Sequence, residues 1–357
     1  MFVKFYPMLK KNSTILLVTF LAVGIFLMAG CSYEARARSR DAHGISFMMD
    51  TFVEQQWYGE NAKAAYSEIE ELLKRCDELF SAYNENSEIY ALNKNSGEAP
   101  TEISPVTMEL LEKALGYCSE SQGLFDITVS PLVKLWNVTG ENPKVPLNED
   151  IEKLKPLVNY KKLALDKEKS TGFLEIKGAS VDLGGVAKGF LAEKALDIAK
   201  KHKVTGYISV GGNMAVLGKK PLGGSFKIGI KSPRSGESDI LGTVKLHDET
   251  MATTGDYERF FIENGERYHH VLDPKTGFPA KTDLISVTVI SKDGSLADFL
   301  STYIFMLGSG ELPKFFDDSR FLVLAVTKDK KVLASPELWN KFTPIKNQKD
   351  YEFLHEK

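Results

Sequence analysis

The sequence predicts an α+β protein: a single compact domain of mixed helices and largely antiparallel sheet, preceded by a signal peptide. Three observations carry that reading. A segment in the first third, about residues 61–80, repeats apolar residues at three- and four-residue spacing, the mark of a helix with one buried face. From Tyr207 onward the pattern changes to short apolar runs with a hairpin signal at Asn264-Gly265. Helices and strands do not alternate regularly, as a doubly wound parallel sheet would require. There is no internal repeat and no long low-complexity linker, so one domain is favoured.

In chain order, a short strand is expected over residues 45–53. A helix follows over about 61–80, where Ala65, Ile69, Leu72, Leu73, Cys76 and Phe80 make one stripe. A second helix is expected over about 105–122 and carries Cys118. Both cysteines read as core residues. Residues 95–97 and 140–146 have loop composition. A strand is expected over 173–181 and, after Gly184-Gly185, a helix over 186–200. Further strands are expected over 208–210, 226–230 and 243–246. Segments 259–262 and 268–272 flank the Asn264-Gly265 turn. A strand over 286–290, a short helix over 297–307 and a last hairpin from 321–326 and 332–334 complete the set.

Lys4, Lys10 and Lys11 precede an apolar run of 16 residues, 15–30, that ends Leu27-Met28-Ala29-Gly30-Cys31. A membrane-spanning helix needs about 20 apolar residues. A basic start, an apolar stretch and small residues at its end are the layout of a secretory signal. Residues 27–31 resemble a bacterial lipobox, with Met28 where Leu is usual. The expectation is a lipoprotein signal peptide over 1–30, a lipidated polar tether over 31–44 and the folded domain over 45–357. The protein would then be exported and held on the extracytoplasmic face of a bacterial membrane through lipid on Cys31. The alternative is an uncleaved N-terminal anchor.

Composition narrows the class. The 357 residues include 45 basic and 48 acidic side chains, a formal charge of -3. Hydrophobic residues at 43% and charged residues at 26% are ordinary for a globular chain and exclude a wholly disordered one. Near-neutral charge argues against a dedicated nucleic-acid binder, which is usually strongly basic. Three cysteines cannot form a disulfide framework for a chain this long.

The common signatures are missing: no G-x-x-x-x-G-K-[ST] loop, no G-x-G-x-x-G after a strand, no H-E-x-x-H, no paired C-x-x-C and no G-x-S-x-G. Three other segments carry chemistry. In Asp182-Leu183-Gly184-Gly185-Val186-Ala187-Lys188-Gly189 a strand ends, two glycines turn and a helix begins. Free N–H groups there can hold anionic oxygens, with Lys188 adding charge and Asp182 accepting from a ligand. Equally, the glycines could serve only a tight turn. In the second, Thr253-Thr254-Gly255 is followed by Tyr268-His269-His270 and Asp273-Pro274-Lys275-Thr276-Gly277. Adjacent histidines on a strand point to opposite faces, so one could reach a site as a general base. In the third, Asp298 and Thr302 lie four apart on one helix face and supply two hard oxygens suited to Mg²⁺ or Ca²⁺. Asp298 could instead cap its own helix with Ser295. Tyr83 and the segment from Gly123 to Val133 add aromatic residues able to stack on a flat ring, though most aromatics are core.

Taken together and in this order, these segments resemble the ApbE family, the FAD:protein FMN transferases, over about residues 49–307. The likeness rests on Met49-Asp50-Thr51, Tyr83 to Asn93, Phe125 to Trp136, Asp182 to Gly189, Gly211-Gly212-Asn213, Thr253 to Tyr257, His270 to Pro279 and Asp298 to Thr302. The resemblance implies an ApbE/T-fold-like domain that binds FAD as substrate and Mg²⁺ as cofactor. It implies transfer of FMN to a Thr or Ser of acceptor flavoproteins carrying a Ser/Thr-Gly-Ala-Thr/Ser-type motif, with release of AMP. It assigns Asp298, the Thr302 hydroxyl and a backbone carbonyl near Gly185 to the metal, and His270 to the acceptor proton. Asp182 and Lys188 would bind FAD, and Met49, Tyr83, Phe125, Asp126, Thr253, Thr254 and Leu272 would line its cleft. Asp50 stands where the family usually has Gly, and Phe299 where a small residue is common. The alternatives are an FAD pyrophosphatase using the same site and a flavin-binding lipoprotein without turnover.

Overall fold

The structure, a computed structural model, describes residues 41–234, 239–345 and 350–354. The expected signal peptide and Cys31 lie outside the described residues, as does most of the expected tether. Among the described residues no helix is long and apolar enough to cross a membrane.

A nine-stranded sheet organises the chain. Numbered within that sheet, its strands are β1 (Ala42–Met48), β2 (Thr51–Tyr58), β3 (Thr205–Val210), β4 (Asn213–Leu217), β5 (Glu249–Gly255), β6 (Leu284–Ser291), β7 (Phe321–Thr327), β8 (Lys331–Ala334) and β9 (Glu352–Leu354). Their order across the sheet is their order along the chain, and only β8 and β9 pair in parallel. The sheet is thus a meander, and the other described elements are insertions between its strands. Among the described residues the four long helices are α1 (Ala62–Phe80), α2 (Pro105–Glu120), α3 (Ala187–Lys201) and α4 (Gly294–Leu307). On one face α1 packs against β1 and β2, α3 against β3 and β4, and α4 against β5 and β6. A smaller sheet of Phe226–Lys231, Ile240–Leu246 and Phe342–Pro344 covers the other face.

Period-two alternation explains the two layers. Val287, Val289, Val323 and Ala325 enter the helix-side core, whereas Ile290, Leu324 and Val326 enter the core under the small sheet. Cys76 and Cys118 are free and buried on the helix side, as their stripe positions suggest.

Several boundaries differ from the sequence reading, each for a local reason. The strand expected over 45–53 is a hairpin of two strands, β1 and β2, turned at Met49 and Asp50 with φ of 53° and 54°. Such a turn needs left-handed backbone at both positions, which glycine adopts freely and Asp tolerates. β1 begins at Ala42, so residues 42–44 join the sheet instead of the tether. The strand expected over 173–181 stops at Leu174, ahead of a turn at Gly178 with φ 86°. Helix α4 begins at Gly294 because the Asp293 carboxylate accepts from the Leu296 N–H at 2.8 Å. Asp298 is therefore not the cap of its own helix.

Helices α3 and α4 cross at two glycines. A Cβ on Gly189 would lie 2.1 Å from the Gly294 carbonyl oxygen, and one on Gly294 would lie 2.3 Å from the Gly189 oxygen. Gly189→Ala should therefore force the helices apart and cost about 1–3 kcal/mol. A Tm several degrees below wild type in thermal unfolding is expected; an unchanged Tm would show that the crossing is loose.

Candidate active site

One large cavity, about 1390 Å³, opens where the first hairpin, the start of α3, the end of β5 and helix α4 meet. Every residue named from sequence as a site candidate, Cys31 apart, lines it: Met49, Tyr83, Phe125, Asp126, Asp182, Gly185, Lys188, Thr253, Thr254, His270, Leu272, Asp298 and Thr302.

The α3–α4 crossing sets its deepest corner. Asp298 is buried, and its Oδ2 accepts from the Gly189 N–H at 2.9 Å, in the first turn of α3. The carboxylate thus meets the positive end of a neighbouring helix. Its Oδ1 has no hydrogen-bond partner among the described residues. One turn along α4, Thr302 Oγ1 lies 2.9 Å from Thr254 Oγ1, which also pairs with Ser301 Oγ at 2.8 Å. Beside it on β5, Thr253 points to the other face and pairs with Thr288 at 2.8 Å. The Gly184-Gly185 turn closes the corner. A Cβ on Gly185 would lie 2.9 Å from the Phe125 ring, so glycine is required for that close approach. Within the turn, Asp182 Oδ1 accepts from the Gly184 N–H at 2.7 Å, and Lys188 Nζ donates to the Gly184 carbonyl at 2.6 Å.

The cavity walls are braced from outside. Phe125 meets Phe299 edge-on at 5.1 Å, and Phe299 stacks on Tyr117 at 4.6 Å, so the bulky residue of α4 backs the aromatic wall. Asp126 accepts from the Thr128 N–H and Oγ1 and from the Tyr160 N–H, which turns its carboxylate toward its own loop. Burial raises its pKa above the ordinary value. Asp77 on α1 accepts from the Met49 N–H at 2.8 Å and fixes the hairpin turn. No sequence motif singled out Asp77, because only the fold brings it to residue 49. Tyr83 is largely exposed at the rim, whereas Leu272 is buried and packs beside Trp136 and Ile151.

His269 and His270 take opposite environments, as adjacent strand-end residues should. His269 is buried beside Phe305. His270 faces the cavity, and its Nδ1 lies 3.2 Å from the Arg259 carbonyl. A carbonyl can only accept, so Nδ1 carries the proton and Nε2 keeps a lone pair. Burial lowers the His270 pKa to about 4, aided by the positive charges of Arg259 and Lys188. Asp256, two residues past Thr254, is fixed by a two-point ion pair with Arg234 at 2.8 and 2.6 Å.

A large cavity lined by a buried carboxylate, hydroxyls and an imidazole has the make-up of an enzyme active site. The family model described as "ApbE family" matches residues 49–324, and the chain belongs to that family. It is 32% identical over 309 residues to a Treponema pallidum protein named FAD:protein FMN transferase, covering 80% of this chain and 85% of the relative. A Klebsiella pneumoniae protein of the same name is 30% identical over 285 residues, covering 79% and 88%. The crystal structure of the ApbE protein of Thermotoga maritima superposes with a TM-score of 0.78 at 31% identity, covering 84% of this chain and 99% of that one. The flavin transferase ApbE of Vibrio cholerae gives 0.74 at 25% identity, again covering 84% and 99%.

The His270 geometry has a pH consequence. Its folded pKa lies below the ordinary value of about 6.5, so the folded state holds fewer protons between the two. The neutral ring favours folding above pH 6.5, and that contribution is lost as pH falls toward 4. NMR titration, assigned with His270→Gln, should find this ring neutral at pH 6. A bound anionic diphosphate should raise its pKa. A free-protein pKa at or above 6.5 would contradict the assignment.

Proposed function

We propose that this chain transfers FMN from FAD to a Thr or Ser hydroxyl of acceptor flavoproteins bearing a Ser/Thr-Gly-Ala-Thr/Ser-type segment, releasing AMP. The observation that carries the reading is the cavity corner where Asp298, Thr302 and the Gly185 turn lie beside the start of α3, with His270 lining the same cavity. Membership of the ApbE family supports it.

The donors at that corner, a carboxylate, a hydroxyl and a backbone carbonyl, are all hard oxygens and fit Mg²⁺. Asp298, Thr302 and the Gly185 carbonyl would hold the ion, which when bound neutralises charge on the diphosphate. This chain's residues do the rest. Lys188, whose ammonium has donors beyond the one given to the Gly184 carbonyl, holds phosphate oxygens. Tyr83, Phe125 and Met49 bound the space for the flavin ring. The acceptor oxygen forms a bond to the FMN phosphorus as the bond from that phosphorus to the bridging oxygen breaks. AMP leaves with the bridging oxygen, and His270 Nε2 takes the hydroxyl proton. No electrons are exchanged. Anchoring through Cys31 would set this chemistry on the extracytoplasmic membrane face.

The test combines FAD, Mg²⁺ and a soluble acceptor domain with a chain starting at residue 32, read by mass spectrometry. A covalent FMN increment on the acceptor is expected; free FMN alone would mean hydrolysis, and intact FAD would mean carriage without turnover. Asp298→Ala should lower turnover by at least two orders of magnitude and abolish its response to Mg²⁺. His270→Ala should lower transfer by about 10²–10⁴ while FAD affinity stays near wild type. Undiminished transfer in either variant would remove that residue from its role.

A further inference from the structure

The cavity is larger than one small ligand needs. Small-molecule pockets span about 300–1,000 Å³, and this one measures about 1390 Å³. Its excess lies on the far side of the central sheet from the helices. There the floor is one cross-strand row, Ile45, Glu54, Ser209, Met214 and Met251. Each pairs directly with the next across β1, β2, β3, β4 and β5. All five line the cavity. The row runs from the outermost strand of the sheet toward Thr253, two residues past Met251 on the same face of β5.

The wall opposite this floor is the strand Phe226–Lys231, whose Ile228, Gly229, Ile230 and Lys231 also line the cavity. That strand is the last of the small sheet, with no strand on its outer side among the described residues. The groove therefore offers unpaired backbone groups along one side, the arrangement that accepts an added strand. At its outer end stand large apolar side chains left in solvent: Ile45 at 62%, Phe47 at 63% and Phe52 at 70% exposure. Phe47 and Phe52 meet edge-on at 5.4 Å. An exposed apolar cluster at a groove mouth is the usual mark of a binding surface.

We propose that this groove receives an extended segment of the acceptor protein, added as a strand against Phe226–Lys231 with its apolar side chains on Ile45 and Phe52. The inference rests on the transferase reading above. Transfer to a protein hydroxyl requires a polypeptide to reach the reacting phosphate, and the groove is continuous with the corner that holds it. Small-ligand binding and acceptor binding then occupy separable walls: Tyr83, Phe125 and Lys188 for FAD, the sheet row and the free edge for the acceptor.

The test uses Ile45→Glu and Phe52→Glu, both at exposed positions, with Phe52→Leu as the conservative control. The probe is a soluble domain carrying one Thr-Gly-Ala-Thr segment. FAD affinity is read by fluorescence and flavinylation by mass spectrometry at varied acceptor concentration. The expected result is an acceptor KM raised about tenfold or more by either Glu variant, with FAD affinity unchanged and Phe52→Leu close to wild type. An unchanged acceptor KM overturns the groove as docking site. FAD affinity weakened in step with KM overturns it too, by giving the groove to FAD. Wild-type protein that binds FAD but never labels the acceptor overturns the transferase reading itself and this inference with it.

Discussion

The buried contact between the Asp298 carboxylate and the Gly189 amide is the constraint on which the site depends. It joins α4 to the first turn of α3 at the point where Gly189 and Gly294 let the two backbones touch. A buried hydrogen bond to a charged group contributes about 1.5–3 kcal/mol. Its structural effect is greater than that figure. It fixes where α3 starts, hence where the Gly184-Gly185 turn lies relative to Thr302 and, through Thr302, relative to Thr254 on β5. Residues more than 100 positions apart in the chain thereby share one corner. One carboxylate oxygen holds that corner, and the other has no hydrogen-bond partner among the described residues.

The rest of the architecture supplies rigidity around this corner. A meander keeps neighbouring strands consecutive in sequence, so each insertion leaves and returns at adjacent points on the sheet. The cavity forms where several insertions converge beside the ends of β2, β3 and β5, and braces outside its walls hold it open. Phe299 and Tyr117 back Phe125, Asp126 ties its own loop, and Arg234 fixes Asp256. Of the cavity residues, Tyr83, Asp182 and His270 sit on loops, whereas Lys188, Thr254, Asp298 and Thr302 stand on α3, β5 and α4, which hold them rigidly.

Much of this was legible in the sequence, unevenly. The stripe of α1 read clearly because that helix buries one face, and Asn264-Gly265 marked its hairpin because that turn needs left-handed backbone. The central strand β5 was harder. Thr250, Met251, Ala252 and Thr254 are buried and Thr253 half-buried, so both faces are covered, the apolar and polar residues do not alternate, and the segment read as a motif instead of a strand. The short helix Ser130–Trp136 hid for a related reason: seven residues are too few for a period to show. The first hairpin read as one strand because Met49-Asp50 lacks the glycine that usually announces such a turn. Site residues emerged through their order along the chain, whereas Asp77, Arg234 and the groove row did not. Their roles come from pairings between distant strands and helices, which no local pattern encodes.

The most direct measurement is a crystal structure with FAD and Mn²⁺, with the metal located by its anomalous scattering. The expected result is a metal peak between the Asp298 carboxylate, the Thr302 hydroxyl and the Gly185 carbonyl, beside the FAD diphosphate, with Asp298 Oδ2 still on the Gly189 amide. A metal peak elsewhere, or FAD lying outside the corner where α3 and α4 cross, would contradict the site described for this chain.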